Sequence, residues 1–233
     1  MARTKSYDHF CAIARSLEIV GEKWTLLIVR DLLRGPQRFS DLRRFMGGIT
    51  PKWLTNRLRE LEAEGIVERD SVSGRREVWY RLTPKGRDLA PVLESLTIWG
   101  INHAMRPPEP GEALYPEVFL QGTTTYLNSR GLRLPSPSTW VFRFDAGSPV
   151  TIRFDGERWS ATPGESEADL VGATTAADLL AFLMARVRDR APLVAALHLE
   201  GSPEALAVFR TALVREPASS ARLPRKSEPQ STR

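Results

Sequence analysis

A short stretch of the sequence, residues 50–56, carries side chains of the types that contact the edges of nucleic-acid bases. An asparagine amide can pair with adenine, a lysine can donate to guanine, and a threonine methyl can contact thymine. The candidate base-reading residues are Lys52, Trp53, Thr55 and Asn56, and Thr50 is a further candidate for DNA contact. Arginines near this stretch could bind phosphates, which sets affinity without selecting a sequence. These candidates are Arg57, Arg59, Arg75 and Arg76. The pattern predicts contact with duplex DNA.

The base-reading side chains can contact base edges together if they lie on one helix. The sequence predicts such a helix. Thr50-Pro51 is a strong helix start, because the threonine hydroxyl can cap a backbone N–H and proline is tolerated in the first turn. Gly65 provides the stop, so the helix should run to about Glu64. Its buried stripe is predicted to comprise Leu54, Leu58 and Leu61.

Helical periodicity then assigns the other faces of this helix. At about 100° per residue, Lys52, Asn56 and Arg59 point away from the buried stripe. Trp53 and Thr55 fall on the flanks, and Arg57 falls nearer the stripe. The exposed face is therefore expected to be polar and basic.

Further helices are predicted before this one. Apolar spacing indicates helices between Cys11 and Arg34, with a break at Gly21. A short helix follows Ser40, a good N-cap, and ends at a glycine turn at 47–48. The order is helix, turn, helix.

Two β-like runs and a last helix follow. Residues 66–70 and 77–82 are joined by turn residues 71–76, which indicates a hairpin, and a helix is expected from Thr83 to about Met105. This is the order of a winged helix-turn-helix, whose recognition helix enters the major groove. We predict a mainly-α domain of this type over residues 1–106.

The second half has a different sequence pattern, in which strand-like and helix-like segments indicate an α+β domain. A proline-rich linker is expected at 107–113, the domain at 114–216, and a basic disordered tail at 217–233. Strands are predicted at 140–144, 150–154, 158–161 and 197–200, and helices at 175–188 and 203–214.

The net charge of +5 is unevenly distributed. Residues 1–106 hold 19 Lys and Arg against 13 Asp and Glu, whereas residues 107–216 hold 10 against 14. A local basic excess suits phosphate binding, although it also suits an ordinary solvated face. The charge therefore supports the first domain as the DNA-binding half, and sequence detail carries the rest.

Several classes of protein are disfavoured. The longest apolar run, Leu179–Ala185, is too short to cross a bilayer, and the N-terminus leads into no apolar signal core. We expect a cytoplasmic protein without a membrane partner. A single cysteine excludes an intrachain disulfide, and three scattered histidines argue against a metal site, so no cofactor is expected.

The first half resembles the HxlR family of bacterial winged-helix regulators over about residues 7–105. The resemblance is carried by VGEKWTLLIVRDLLRGP at 20–36, RFSDL at 38–42, ITPKWLTNRLREL at 49–61 and YRLTPKG at 80–86. It implies a homodimer joined by the first and last helices of the domain, and a pseudo-palindromic operator. Leu96 and Trp99 on the last helix suit a dimer contact, although they could equally cap their own core.

Cys11 lies where many members of that family carry a cysteine, which in some of them senses oxidants or electrophiles. A sensing thiol needs a lowered pKa and access. A lone cysteine on an apolar helical face can also be a small buried hydrophobic residue, and both interpretations stay open.

The second half resembles the sterol carrier protein type 2 fold over about residues 115–214, through EADLV at 167–171 and LHLEGSPEAL at 197–206. This resemblance implies an apolar cavity between sheet and helices for a hydrophobic small-molecule effector. The candidate wall residues are Trp140, Phe142, Phe144, Trp159, Phe182 and Leu183. The same residues could instead be the domain's core.

The sequence thus favours a homodimeric DNA-binding regulator controlled by an apolar effector. The alternative is a lipid or small-molecule carrier whose N-terminal module is an interaction domain. An enzyme is disfavoured, because the sequence shows no Ser/His/Asp order, carboxylate pair, phosphate loop or metal spacing.

Overall fold

The protein is described by a computed structural model over residues 6–71 and 77–214. The chain forms two compact units, Met1–Met105 and Arg106–Arg233. The hairpin turn with Arg75 and Arg76 lies outside the described residues, and so does the predicted tail at 217–233. Within the described ranges, every helix is too short or too polar to cross a bilayer.

The first unit consists of helices with a small antiparallel sheet. Its helices are α1 (Ala12–Val20), α2 (Thr25–Leu33), α3 (Phe39–Arg44), α4 (Pro51–Ala63), α5 (Pro84–Arg87) and α6 (Ala90–His103). Its strands are β1 (Gln37–Arg38), β2 (Val67–Ser71) and β3 (Val78–Leu82), in the order β1-β3-β2. Helices α3 and α4 form the helix-turn-helix and strands β2 and β3 the wing, which confirms the predicted fold of this half.

Helix α4 has the start and stop that its sequence predicts. The Thr50 hydroxyl accepts the backbone N–H of Trp53 at 3.3 Å, and Gly65 adopts a φ of 66°, which favours glycine just beyond the helix. The predicted stripe of Leu54, Leu58 and Leu61 is buried, with exposures of 0–1%. This stripe fixes which face of α4 turns outward.

The predicted last helix of this unit is wrong in one respect, because it is two helices. Pro91 has no backbone N–H to continue a helix from Arg87, and it is tolerated in the first turn of α6. Gly86 in α5 approaches the Ile66 carbonyl so closely that a Cβ atom would clash with it. The short α5 thus packs against the wing, and α6 starts afresh.

The second unit is a mixed sheet with helices, as the α+β prediction states. Its helices are α7 (Pro116–Ser129), α8 (Ala176–Met184) and α9 (Pro203–Leu213), with 3-10 turns at Val187–Asp189 and Ala191–Leu197. Its strands are β4 (Ser138–Phe144), β5 (Val150–Phe154), β6 (Trp159–Pro163), β7 (Leu170–Thr174) and β8 (Leu199–Gly201). The sheet order is β6-β5-β4-β7-β8, and β4 and β7 run parallel.

Helix α8 is shorter than the predicted helix at 175–188, because the chain turns after Met184. Arg190 lies just beyond that turn, and its guanidinium donates to the carbonyls of Leu183 at 2.9 Å and Ala185 at 3.0 Å. It also donates to the carbonyl of Leu213, at the end of α9, at 2.8 Å. One side chain therefore caps the C-terminal ends of two helices.

The core of the second unit is a cluster of aromatic rings between the sheet and the helices. Phe209 of α9 lies at its centre, with ring centroids 5.1 Å from Trp140, 5.9 Å from Phe182 and 6.5 Å from Phe142. The Trp159 ring is tilted against Trp140, with centroids 5.0 Å apart. The three rings around Phe209, and that of Trp159, are at most 3% exposed.

Candidate nucleic-acid interface

The first two turns of α4 present most of the predicted base-reading set to solvent. Lys52, Asn56 and the capping residue Thr50 are exposed, and the Trp53 indole is 57% exposed. Thr55 is half-buried, and its hydroxyl donates to the Pro51 carbonyl at 2.8 Å. The structure therefore brings an ammonium, an amide and an indole together on one protruding surface.

Buried side chains anchor the turn before α4 to the core of the first unit. Met46 and Ile49 are 1% and 7% exposed and belong to the core of the first unit. Gly48 between them adopts a φ of 83°, which side chains with a Cβ rarely adopt. The tight turn fixes the angle at which α4 leaves α3.

A buried ion cluster anchors α2 to this turn. The Asp31 carboxylate is fully buried, and its Oδ1 accepts from Arg30 Nε at 2.9 Å and from Arg34 Nη2 at 3.0 Å. The Arg34 guanidinium also lies 4.4 Å from the centroid of the Phe45 ring, at the end of α3. The cluster thus joins α2 to the first helix of the helix-turn-helix.

Arg57 requires a correction, because it is not available to a phosphate. The residue is 8% exposed, and its guanidinium is 2.7 Å from Glu60 and 3.6 Å from Glu22. Its position nearer the leucine stripe, which the periodicity already indicated, places it against the protein. Arg57 ties α4 to the segment before α2 instead of facing outward.

The remaining predicted phosphate contacts divide into two groups. Arg59 is exposed on α4. Arg75 and Arg76 fall outside the described residues, so their phosphate contacts stay a prediction.

The structure adds two cationic side chains that the sequence reasoning missed. Arg43, in the last turn of α3, is exposed directly beside the turn. Arg38 lies over the Trp79 ring of β3 at 4.6 Å and pairs with Glu77 at 2.7 Å. Arg43 follows the buried Leu42 by one residue, a spacing that could have marked it as outward-facing.

Cys11 occupies the N-cap position of α1 and is half-buried. The backbone N–H groups of Ala14 and Ile13 lower the pKa of its thiol, because they stabilise the thiolate. This direction agrees with the chemistry of a reactive thiol, and a sensing role stays a prediction.

Apolar side chains remain exposed on α1 and α6. None of the residues of α6, all of which the structure describes, is buried. The large exposed apolar side chains on these two helices are Ile13 at 70%, Leu17 at 41%, Val92 and Leu96 at 46%, and Trp99 at 57%. Among the described residues, these helices carry apolar side chains that stay open to solvent.

The structure also bears on the predicted ligand cavity of the second unit. Trp140, Phe142 and Phe182 pack around Phe209, Trp159 packs against Trp140, and Leu183 packs against the same core. Phe144 borders an open cavity of about 390 Å³, whose other walls include the polar residues Arg143, Asp178 and His198. These contacts favour the alternative that the residues form the domain's core, and the apolar cavity stays a prediction.

Comparison with known proteins gives matches to the half that contains α4. The family model described as HxlR-like helix-turn-helix matches residues 19–107. The HTH-type transcriptional regulator YtcD of Bacillus subtilis (strain 168) is 41% identical over 98 residues, which are 41% of this chain and 76% of YtcD. A second regulator of that organism, YkvN, is 38% identical over 103 residues, which are 44% of this chain and 87% of YkvN.

Among solved structures, a crystal structure of a ytcD regulator is 40% identical to the chain. The match covers 42% of this chain and 100% of that one, with a TM-score of 0.40.

Proposed function

The chain belongs to the HxlR-like helix-turn-helix family of transcriptional regulators, and from that premise we propose that it binds specific duplex DNA through the outer face of α4. One observation carries the proposal: a buried leucine stripe turns Lys52, Trp53 and Asn56 outward together on the first turns of a well-capped helix. The major groove, about 12 Å wide, admits one α-helix.

Each exposed group has a defined task in this proposal. Asn56 pairs with an adenine and Lys52 donates to a guanine, so these two side chains select bases. Arg59 and Arg43 neutralise phosphates on either side of the helix, and Arg75 and Arg76 are proposed to do so from the hairpin. Affinity should therefore fall steeply with salt, while base preference follows α4.

We expect Lys52→Ala and Asn56→Ala each to weaken binding to the preferred operator by about 5- to 150-fold, because one base-specific pair contributes about 1–3 kcal/mol of discrimination. The operator is selected from random duplexes with the full chain, and affinity is measured by fluorescence anisotropy. Arg188→Ala, which removes one exposed positive charge from the second unit, is the matched control and should bind like wild type. Undiminished affinity in both α4 variants would contradict the assignment of α4.

We also propose that the protein acts as a homodimer through the apolar surface of α1 and α6. A symmetric pair would cover side chains such as Ile13, Leu96 and Trp99, which the single chain leaves exposed. Two copies related by a twofold axis would present two α4 helices to two half-sites. The operator would then be pseudo-palindromic.

We expect the paired changes Leu96→Glu and Trp99→Glu to convert the dimer to a monomer, since both place a carboxylate in the proposed apolar contact. Sedimentation velocity measures the mass, and anisotropy should show weaker operator binding in parallel. Glu94→Lys lies on the opposite side of α6 by helical periodicity and serves as the control. A double variant that sediments as wild type would refute this interface.

The second unit enters the proposal as an attached folded domain, and an apolar effector in it stays a prediction. The side chains expected to line a cavity are core residues, so the support for an apolar effector, and for the carrier alternative, is reduced to the sequence resemblance. The DNA-binding proposal does not depend on either.

A further inference from the structure

One large apolar side chain of the first unit lies on the proposed DNA-binding face. The exposed apolar groups on α1 and α6 are explained by the proposed dimer. Trp53 lies elsewhere, in the first turn of α4, with 57% of its surface exposed. Exposure of an indole between Lys52 and Asn56 calls for a partner that is apolar and lies within a polar, anionic surface.

The major groove offers one apolar group of this kind. Base edges in the groove carry hydrogen-bond donors and acceptors, and thymine adds its C5 methyl group. Phosphates attract cations and gain nothing from an indole face. The basic excess of residues 1–106, with exposed Lys52 next to Trp53 and exposed Arg59 further along α4, matches the charge of the duplex around such a methyl.

Thr55 is the competing apolar contact, because its methyl is also on this part of α4. It is half-buried, and its hydroxyl is turned back to the Pro51 carbonyl at 2.8 Å. Trp53 is the more exposed of the two. Its backbone N–H is held by the Thr50 hydroxyl at 3.3 Å, so the turn that carries the indole is fixed.

We infer that Trp53 packs against the C5 methyl of a thymine in each half-site, so that the protein selects thymine at that position by apolar contact. The inference rests on the proposed binding of DNA by α4 and adds the base class that one side chain reads. Burying one methyl group is worth about a fourfold change in affinity.

The test removes the methyl from the DNA and the indole from the protein. Each thymine of the selected operator is replaced in turn by deoxyuridine, which keeps base pairing and lacks the methyl. Full-length wild type should lose about fourfold affinity at one position per half-site. Trp53→Ala should bind the thymine and deoxyuridine operators equally, whereas Lys52→Ala should bind both more weakly and keep the fourfold difference.

The outcomes separate the inference from the proposal on which it rests. If no duplex is selected, DNA binding by this chain is itself contradicted. If an operator is bound but no deoxyuridine substitution changes affinity, or if Trp53→Ala keeps the full difference, the Trp53 contact is overturned alone. Loss of the difference in Thr55→Ser, which removes only a methyl, would assign the contact to Thr55 instead.

Discussion

Replacing Asp31 with alanine should lower the free energy of unfolding of the first unit by about 3–5 kcal/mol, the cost of breaking a buried ion pair by removing one partner. Asp31 is fully buried, and the side chain of Arg34 is 11% exposed. The substitution would take away the carboxylate that accepts from both Arg30 and Arg34, and the Arg34 guanidinium also lies close to Phe45. The loss of stability should extend to α3, because the cluster contacts the first helix of the helix-turn-helix there.

Hydrogen–deuterium exchange of the full chain measures this effect, because it localises the loss to peptides of α2 and α3. Urea unfolding of a chain with two units need not be two-state, so a single midpoint is less informative. Asp31→Asn, which keeps the shape but not the charge, should fall between wild type and alanine. Glu64→Ala is the control, because it removes an exposed carboxylate and should change stability by no more than about 0.5 kcal/mol. Equal hydrogen–deuterium exchange in Asp31→Ala and Glu64→Ala would refute the role of the cluster.

Replacing Arg190 with alanine should lower the stability of the second unit by about 2–4 kcal/mol. Three carbonyls, of Leu183, Ala185 and Leu213, lose a charged donor, and hydrogen bonds to charged groups contribute about 1.5–3 kcal/mol each. Water can replace part of this loss because the arginine is only half-buried. The substitution also removes the contact of the guanidinium with the Phe182 ring, whose centroid lies 5.4 Å away.

Exchange should increase at the last turns of both α8 and α9, since one side chain caps both. Arg190→Lys should rescue only part of the stability, because an ammonium cannot repeat the planar fork that reaches three carbonyls. Arg188→Ala is the matched control, since its side chain is 65% exposed. Faster exchange at α8 but not at α9 would contradict the shared cap.

The sequence predicted α4 and its leucine stripe well, because capping and periodicity act within a dozen residues. Thr50-Pro51 and Gly65 bracket the helix, and both signals depend on local backbone chemistry. Arg57 shows where this reasoning ended. Periodicity places it near the stripe, and its closer ion pair, with Glu60 at 2.7 Å, lies within one helical turn. Its pair with Glu22, which lies 35 positions away along the chain, has no local signal.

The second unit shows the same limit on a larger scale. Strand β7 was not predicted, because its five residues, LVGAT, include Gly172 and Ala173, which are weak strand formers, and its pairing with β4 is long-range. The apolar side chains of the predicted cavity were identified correctly as inward-facing. Whether they enclose space or fill it depends on Phe209, a residue that the sequence places only on a terminal helix.

Among the described residues, no side chain of α6 is fully buried, and this has a consequence for how the protein would respond to its own abundance. Pairing through that helix would stabilise the fold by an amount that rises with the logarithm of subunit concentration. A cell with few copies would contain mostly monomers, and each monomer would bind one half-site weakly. Doubling the copy number would then more than double the number of occupied operators. Operator occupancy would therefore rise more steeply than the concentration of the protein.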